Sequence, residues 1–351
     1  MRYDALIIGQ GIAGSMLAWH LHQRHQRILI IDPNHEQASS MISAGIINPL
    51  TGQRLVITPD FDLFNDYAMS VYGQLERKLG QNFFEPLPIV RVLRDPLEQE
   101  RCRQLKKNQA TGKYLEAEDH SGIYGKSIRD PFGSVRINDG GHCNPVQLLN
   151  AFKTHFKKSN LIVNQRLFVD ELILGADGVS WHGDEFARVI FCEGYQASSN
   201  PWFNNLPFNH VKGEILRVRL NGLPKMILAQ SKWCVPVGNN EWIVGANYNR
   251  DQLDCRTSEE GKEEVIEGIE QFIAADIKVL GHHAAVRPVV IDQMPVIGFH
   301  PCHPALGIFN GFGSKGFLMA PFYANLLMEH LINGVVLPKQ VNVSRFKESF
   351  T

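Results

Sequence analysis

Three glycines and one acid near the start of the chain have the residue types and the spacing that bind a nucleotide. Gly9, Gly11 and Gly14 follow an apolar run at 5–8, and Asp32 closes the next apolar run. Gly9 permits a tight turn, Gly11 lets the backbone approach a pyrophosphate, and Gly14 lets a helix pack closely on a strand. The first amides of that helix attract phosphates, and the Asp32 carboxylate accepts hydrogen bonds from ribose hydroxyls. Because Asp32 would repel a ribose 2′-phosphate, the pattern predicts a βαβ unit for NAD or FAD.

A second glycine-rich turn lies near the end of the chain. Gly311, Gly313 and Gly316 precede an apolar segment from Phe317 to about Ile332, which predicts a closing helix. A turn of this kind presents free backbone N–H groups at a helix N-terminus and so forms an anion site. The alternative is an ordinary helix start with an exposed lysine. Two phosphate-type turns in one chain favour a single extended cofactor that both ends of the sequence hold.

Arg287 is the side chain best suited to bind a substrate anion. It lies in an apolar stretch at 284–290, where an unpaired charge would be costly. A guanidinium in such a place favours a bidentate carboxylate, which either a ligand or a structural ion pair within the protein can supply.

The composition of the chain limits the functions that it can have. With 351 residues and 44% hydrophobic content, we expect one very large or two ordinary domains with a sizeable core. The net charge of −1 gives no basic field for nucleic acid or for an anionic membrane. No stretch reaches the length of a membrane span or of a secretory signal. Six cysteines without CxxC pairing are typical of reduced thiols, so the sequence predicts a cytoplasmic protein.

Strand and helix patterns divide the chain into two kinds of segment. Segments of the nucleotide-binding type occur at the start, in the middle and at the end, and alternating stretches between them predict an antiparallel sheet. The expected fold class is α/β, with a discontinuous Rossmann-like domain from 1–60, 139–205 and 284–351. An inserted antiparallel-sheet domain is expected from 61–138 and 206–283. Ligands in such proteins lie at the junction of the two domains.

Several elements can be placed more closely. Residues 61–80 and 258–278 have the periodicity of amphipathic helices. Residues 84–94 predict a strand, and its two prolines favour a sheet edge. Residues 139–142 predict a turn, which leads to a helix capped by Asn144.

Several segments, in this order along the chain, resemble those of one protein family. The segments are 39–49, a small-residue stretch centred on Ala44-Gly45; 189–194, a strand; 212–216, similar to an "RGQ" strand; 233–236 and 243–246, similar to a strand pair with "V-P" and "V-G-A"; 286–298, similar to "LRP" followed by "P-D-G-x-P-I-I-G"; and 310–321, similar to a "G-x-x-x-x-G" turn with a following "A-P". The chain therefore resembles the FAD-dependent oxidoreductases of the D-amino-acid oxidase, glycine oxidase and sarcosine oxidase superfamily.

The resemblance implies an FAD-binding Rossmann-like domain and assigns most of the candidate site. The residues that it places against FAD are Gly9, Gly11, Ile12, Ala13, Gly14, Asp32, Ser39, Ser40, Ala44, Gly45, Gly194, Gly313, Ser314, Lys315, Gly316 and Phe317. The start of the last helix and Lys315 would stabilise the negative charge of the reduced flavin. Arg287 would bind the substrate carboxylate, and Asn48 would lie beside the reactive flavin face. Trp233 would lie beside the substrate or, alternatively, in the sheet core.

The reaction that the resemblance implies is oxidation of the C–N bond of a small amino acid or another carboxylated amine. A carboxylate held by Arg287 would place the α-carbon to pass a hydride to flavin N5, and the imine would be released and hydrolysed. In the sarcosine oxidase branch a cysteine near the last glycine-rich turn binds the flavin covalently. Residues 310–317 contain no cysteine, so we expect non-covalent FAD. The stretch Gly313-Ser314-Lys315-Gly316 departs from the family's turn, which leaves both an oxidase and a dehydrogenase open.

Three other functions stay open at the level of sequence. They are a flavin-dependent dehydrogenase of a hydroxy acid, an oxidoreductase-like protein that modifies the wobble base of tRNA, and a non-catalytic FAD-binding protein. The near-neutral charge disfavours a nucleic-acid partner. Residues 175–178 resemble a motif of aromatic-ring monooxygenases, but a hairpin turn explains them better. Residues 300–303 are expected to form a surface loop rather than a metal site. The sequence does not predict the oligomeric state.

Overall fold

Two eight-stranded sheets dominate the computed structural model, which describes residues 1–34, 36 and 38–350. The strands are β1 Arg2–Ile8, β2 Ile28–Ile31, β3 Ile46–Ile47, β4 Leu50–Thr51, β5 Val56–Ile57, β6 Phe84–Glu85, β7 Ile89–Val92, β8 Leu115–Asp119, β9 Ser134–Ile137, β10 Gly141–Cys143, β11 Ile162–Val163, β12 Ile173–Leu174, β13 Val179–Trp181, β14 Asp184–Phe191, β15 Val211–Arg219, β16 Ile227–Ala229, β17 Trp233–Gly238, β18 Glu241–Gly245, β19 Lys278–Arg287, β20 Val296–Phe299 and β21 Leu306–Asn310.

Helices connect many of these strands. The α-helices are α1 Ile12–Gln23, α2 Ser39–Ile42, α3 Phe61–Leu79, α4 Pro96–Lys107, α5 Gln109–Gly112, α6 Pro145–Lys158, α7 Glu259–Glu270 and α8 Gly316–Asn333. Short 3₁₀ helices span Gly125–Ser127, Val169–Glu171, Gly194–Ser199 and Val343–Phe350. Asn144 caps α6 as predicted, because its Oδ1 accepts the N–H of Gln147 at 3.1 Å.

β1 lies at the centre of the first large sheet. Its residues 5–8 are all buried, as expected for a parallel strand that is covered on both faces. It pairs in parallel with β2 on one side and with β14 on the other, and β11 and β21 continue the parallel order. α1 and α8 pack against each other and contribute apolar side chains to one core. Since each glycine-rich turn precedes one of these two helices, both turns reach the same cavity.

The second large sheet is built by the middle of the chain. Its strand order is β19, β15, β18, β17, β16, β7, β9 and β8. β16 and β7 are parallel, whereas the other neighbours are antiparallel. α7 packs against β15 and β18. The combination of a mainly parallel sheet and a mainly antiparallel sheet confirms the predicted α/β class with an antiparallel substrate sheet.

The strand predicted at 84–94 is two strands in different sheets. Both prolines of the stretch fall in the link between β6 and β7. β6 lies at the edge of a small sheet beside β10, as the prolines favour. β7 lies between β16 and β9 with all four residues buried, so the edge prediction is wrong for it.

Two further element predictions are corrected. Residues 141–143 form β10, which pairs with β3 and β6, where we expected only a turn. Gly141 suits this close packing, because a Cβ there would lie 2.5 Å from Phe84 Cζ. The helix predicted at 258–278 ends at Glu270, and β19 begins at Lys278 rather than near 284. The first half of β19 is partly exposed, so it lacks the apolar run by which strands are recognised.

Two features cross the predicted domain bounds. β19 continues without a break through the bound between residues 283 and 284. α3 belongs by sequence to the inserted domain but packs against α8. The numerical bounds therefore stay a prediction, while the two sheets are directly observed.

Two motifs that suggest other functions form local turns. Residues 175–178 close the β12–β13 hairpin, where the N–H of Gly175 donates to Gly178 O at 2.9 Å. His300 Nδ1 accepts the N–H groups of Cys302 and His303, which makes a tight turn after β20. Within residues 1–34, 36 and 38–350, no three His, Cys, Asp or Glu side chains gather to hold a metal ion. No helix in this part of the chain is long and apolar enough to cross a bilayer, and the cytoplasmic location stays a prediction.

Candidate active site

A cavity of about 730 Å³ is lined by residues of both large sheets. The predicted site residues that line it are Gly9, Gly11, Ile12, Ala13, Asp32, Ser39, Ser40, Ala44, Gly45, Gly194, Trp233, Arg287, Gly313, Ser314, Gly316 and Phe317. Gly14, Asn48 and Lys315 are not among its lining residues. Residues that lie far apart in sequence are thus brought to one elongated space.

The first glycine-rich turn is tight because its glycines contact backbone. Gly9 has φ +100°, and a Cβ there would lie 2.6 Å from the O of Cys192, which directly follows β14. A Cβ on Gly14 would lie 1.9 Å from Gly9 O, so only glycine lets α1 approach β1 this closely. Gly14 therefore acts through packing, and the N-terminus of α1 is exposed to the cavity beside Gly11.

Asp32 follows β2 at the edge of the cavity. Its Oδ2 accepts the N–H of Gln10 at 2.8 Å, and its Oδ1 accepts the N–H of Asn34 at 2.8 Å. Both bonds fix the carboxylate against the first turn and leave it further acceptor capacity, since each oxygen has two lone pairs. This is the arrangement that a ribose-binding acid requires.

The segment after β2 reaches the start of α1. Ser40 Oγ accepts the N–H of Ile12 at 3.1 Å, which satisfies one free amide of the helix N-terminus. Gly45 has φ +59°, and a Cβ there would lie 1.8 Å from Cys143 O. Ser39, Ser40, Ala44 and Gly45 therefore form one wall of the cavity beside α1.

The second glycine-rich turn closes the cavity from the other end of the sequence. Gly311 and Gly313 have φ of +81° and +55°, which shape the turn before α8. Asn310 Nδ2 donates to Gly194 O at 2.8 Å and so ties this turn to the end of β14. The N-terminus of α8, with Gly316 and Phe317, lines the cavity and offers a second positive helix end.

Lys315 and Asn48 lie beside the cavity rather than in its wall. Lys315 precedes α8, and partial burial lowers the pKa of its ammonium group. Asn48 Oδ1 accepts the N–H of Leu50 at 3.0 Å, so its amide serves a local turn. Arg287 lines the cavity and these two residues do not, and their predicted roles stay predictions.

Arg287 ends β19 and directs its guanidinium into the cavity wall. Its Nη1 is buried and has no hydrogen-bond partner, and none of the ion pairs among the described residues involves it. Burial lowers the pKa of this guanidinium, although arginine keeps its charge at any physiological pH. The nearest charge-stabilising group is the Tyr248 ring, whose centroid is 4.8 Å from Arg287 Cζ. A buried cation with a free donor is a site for an anion.

Gly213 on β15 makes room for Arg287. A Cβ at Gly213 would lie 2.3 Å from Arg287 Nη2, so any side chain there would displace the guanidinium. Trp233 begins β17 in the same wall, where it is half-buried and packs against the apolar core. Trp233 thus packs against the sheet core and lines the cavity, and its role beside the substrate stays a prediction.

The sequence did not reveal several residues of the cavity wall. Tyr248 follows the end of β18, at a place where an exposed aromatic residue gives no distinct signal. His210 directly precedes β15, whose first residue Val211 pairs with Arg287, and its Nε2 is 2.7 Å from Ser198 Oγ. Burial lowers the pKa of His210. The pairing of β15 with β19 brings these residues together, and only the glycine of the "RGQ"-like strand hinted at a close approach.

Residues 4–330 match the family described as DAO, FAD dependent oxidoreductase. The chain belongs to this family. FAD is accordingly its cofactor, and the chain is an FAD-dependent oxidoreductase. The match covers both large sheets and both glycine-rich turns.

One curated relative is a protein of Idiomarina loihiensis named tRNA 5-methylaminomethyl-2-thiouridine biosynthesis bifunctional protein MnmC. It is 24% identical over 99% of this chain, but the match covers 59% of the relative. The chain thus spans somewhat more than half the length of that relative.

Solved structures of family members share the fold. Glycine oxidase from Bacillus cereus has a TM-score of 0.78 and 19% identity, with 96% of each chain covered. Iminodiacetate oxidase from Chelativorans has a TM-score of 0.77 and 21% identity, with 97% of this chain and 99% of that chain covered. The chain therefore shares its two-sheet fold with these two proteins.

The residues of the cavity fit FAD in their chemistry. An acceptor carboxylate, a close-approach glycine turn and a helix N-terminus are what ribose and pyrophosphate need. The second helix N-terminus suits a group that gains negative charge on reduction. Arg287, whose buried Nη1 has no partner, lies on the second sheet at the end of β19.

Proposed function

We propose that the chain oxidises the C–N bond of an amine that also carries a carboxylate. The observation that supports this most is the buried, unpartnered Nη1 of Arg287 in the wall of the FAD cavity. A desolvated guanidinium gains most from a planar carboxylate, which it can bind through two parallel hydrogen bonds. Glycine oxidase and iminodiacetate oxidase, by their names, act on substrates that have an amine and a carboxylate.

FAD would be held at both ends of the cavity. Asp32 would accept bonds from the ribose, and the amides at the start of α1 would bind the pyrophosphate, with Ser40 beside them. The N-terminus of α8, with Lys315 behind it, would favour negative charge on the flavin. No cysteine lies in the second turn at 310–317, so the proposed binding is non-covalent. Acid precipitation of the purified protein should then release all flavin into the supernatant.

The residues of the second sheet would orient the substrate. When bound, FAD accepts the hydride that leaves the carbon next to nitrogen. Arg287 would fix the substrate carboxylate and so limit which carbon faces the cofactor. Trp233 and Tyr248 would cover the ligand from two sides and exclude water. The amine has to arrive neutral, and His210, whose pKa burial lowers, is a neutral neighbour in the same wall.

Anaerobic reduction of the bound FAD tests this function. Glycine, sarcosine, proline and D-amino acids should be compared as substrates, and reduction is followed as the loss of flavin absorbance at about 450 nm. At least one carboxylated amine should bleach the flavin of the unmodified protein. Arg287→Ala should raise the substrate concentration needed for bleaching by more than ~100-fold, because the charge-assisted carboxylate contact is lost. Arg219→Ala, which removes an exposed guanidinium paired with Glu241, is the matched control and should change nothing. If no carboxylated amine reduces the bound flavin, the protein does not have the proposed activity.

A second candidate substrate is an amine attached to a tRNA base. Several curated relatives that match most of this chain carry the name of a tRNA biosynthesis protein. These names give no support to the expected absence of a nucleic-acid partner. The net charge of −1 still argues against tRNA binding by this chain alone. Bleaching by purified bacterial tRNA, and not by free amino acids, would favour this candidate over the first.

A further inference from the structure

The segment 246–258, which joins β18 to α7, carries two side chains into the cavity. Tyr248 and Leu253 line the cavity although they are 71% and 42% exposed. The Tyr248 ring is the group that contacts the Arg287 guanidinium. A surface segment of this length is mobile unless contacts hold it, so its attachment decides the geometry around Arg287.

Lys212 attaches the middle of the segment to β15. Its backbone N–H donates to Asn249 O at 2.8 Å, and its O accepts the N–H of Asn249 at 3.0 Å. Its Nζ donates to Asp254 Oδ1 at 2.8 Å. Asn249 follows Tyr248 and Asp254 follows Leu253, so each contact is next to a side chain that lines the cavity.

Glu214, two residues further along β15, attaches both ends of the segment. Its N–H donates to Asn247 Oδ1 at 2.6 Å, directly before Tyr248. Its carboxylate accepts the N–H and the hydroxyl of Ser258 at 2.9 and 2.8 Å, and His282 Nε2 lies 2.8 Å from it. Ser258 caps α7 by accepting the N–H of Gly261, which places the carboxylate at the positive end of that helix.

The two side chains are buried ions that do not line the cavity. Lys212 is 2% and Glu214 is 1% exposed, and their charged atoms are 3.9 Å apart. Gly213 stands between them in β15 and faces Arg287, so Lys212 and Glu214 point to the opposite side of the strand. Burying two ions gives little net stability compared with apolar residues, so stability alone explains them poorly. Apart from each other and His282, the partners of the two side chains lie on the 246–258 segment.

We propose that Lys212 and Glu214 are positioning residues that fix the 246–258 segment and thereby hold Tyr248 against the Arg287 guanidinium. This inference rests on the proposed carboxylate site at Arg287. A fixed Tyr248 keeps the guanidinium in one orientation before a ligand arrives, so less conformational freedom is lost on binding. Removal of Lys212 should therefore weaken carboxylate binding although Lys212 touches neither ligand nor cofactor.

Hydrogen exchange of the FAD-loaded protein tests the attachment directly. Lys212→Met should raise amide exchange within 246–258 by about tenfold, since it removes the ion pair that holds the segment to the sheet. Arg217→Met is the matched control, because Arg217 lies on the same strand but pairs with Glu241 at the surface. Asp254→Asn, which keeps Lys212 and weakens its contact from the exposed side, should raise exchange by a smaller factor. If Lys212→Met fails to fold, Asp254→Asn is measured in its place.

A double-mutant cycle tests the link to Arg287. Benzoate, a carboxylate without an amine, is titrated into the FAD-loaded protein, and its Kd is read from the flavin spectrum. Lys212→Met and Tyr248→Ala should each raise this Kd by about tenfold, and the double variant should be no more than about twofold weaker than Tyr248→Ala. A purely structural role of Lys212 predicts that the two effects multiply.

The failures of the two proposals can be told apart. If Lys212→Met leaves exchange in 246–258 unchanged, or if its effect on Kd multiplies with that of Tyr248→Ala, the positioning role is refuted. If the unmodified protein does not bind benzoate, or Arg287→Ala binds it equally well, the carboxylate site is refuted. Even if the carboxylate site is refuted, the hydrogen-exchange measurement still shows whether Lys212 holds the 246–258 segment to the sheet.

Discussion

The local surroundings of Arg287 explain why one residue can define a substrate class. Its charge is desolvated, one nitrogen lacks a partner, and a tyrosine ring rather than a carboxylate lies beside it. A structural ion pair, which the sequence left open, would have placed an acid within about 4 Å. We therefore propose a ligand carboxylate as the partner of this guanidinium.

Gly213 should be as important as Arg287 for ligand binding. In Gly213→Ala the new Cβ would lie 2.3 Å from Arg287 Nη2 and would push the guanidinium away. We expect the Kd for benzoate to rise by about tenfold or more, because the charge-assisted contact loses its alignment. Binding of FAD should not change.

Gly281→Ala on β19 is the control for this change. There the nearest non-neighbouring atom is the end of a flexible side chain, His283 Nε2, at 3.3 Å. If Gly213→Ala binds benzoate as the unmodified protein does, then Arg287 does not need the space that Gly213 provides.

At the residue scale, sequence and structure agree where chemistry alone identifies a residue. Arg287 was predicted because a charge in an apolar strand needs an explanation. Tyr248 and Gly213 were not predicted as site residues, because their importance depends on which strands lie side by side. Lys212 and Glu214 read as ordinary polar residues of a strand until β15 is seen beside the 246–258 segment. Such roles come from tertiary contacts, which one sequence does not contain.

The helices and strands of the cofactor site were the most predictable elements. Buried parallel strands and glycine turns have strong local signals, so β1, α1, β2 and α8 could be placed from sequence. The short strands β6 and β10, and the start of β19, could not. Each of these strands is defined by its pairing partner rather than by its own residue pattern. The same holds for β7, which is fully buried although two prolines precede it.

The contact between α1 and β1 should control retention of FAD. In Gly14→Ala the new Cβ would lie 1.9 Å from Gly9 O, so the helix must move away from the strand. We expect unfolding free energy to fall by about 1–3 kcal/mol and FAD to be lost on gel filtration. Thermal unfolding and the ratio of flavin to protein absorbance measure the two effects.

For Gly73→Ala on α3 we expect the opposite effect on stability from that of Gly14→Ala. Apart from the backbone of α3 itself, the nearest atom to its Cβ would be Arg77 Nη1 at 3.6 Å, so alanine fits without strain. The variant should keep FAD and gain up to about 1 kcal/mol in unfolding free energy, because alanine favours a helix over glycine. Equal FAD retention by Gly14→Ala and Gly73→Ala would contradict the role given to the first turn.

The whole molecule should lose stability as pH falls below neutrality. Burial lowers the pKa of both His20 and His142 to about 4, whereas in the unfolded chain they titrate near 6.5. Below pH 6.5 the unfolded state therefore binds more protons than the folded state, and unfolding becomes easier. The loss should reach about 2 kcal/mol for each histidine by pH 5 and should continue to pH 4.

Urea unfolding of the FAD-saturated protein at pH 7 and pH 5 measures this loss. His142→Gln removes one of the two buried titrating groups and should reduce the difference between the two pH values. His120→Gln, at an exposed position, should leave the difference unchanged. An unfolding free energy that is equal at both pH values would show that these histidines are not buried and neutral.

We propose above that bound FAD oxidises an amine whose carboxylate is held by Arg287. Anaerobic bleaching of the flavin by matched acid and amide pairs, such as sarcosine and sarcosinamide or glycine and glycinamide, tests it most directly. The account predicts that an acid reduces the flavin, that its amide does so at least about 100-fold less effectively, and that the preference disappears in Arg287→Ala. Equal reduction by acid and amide, or a preference that survives in Arg287→Ala, would contradict it.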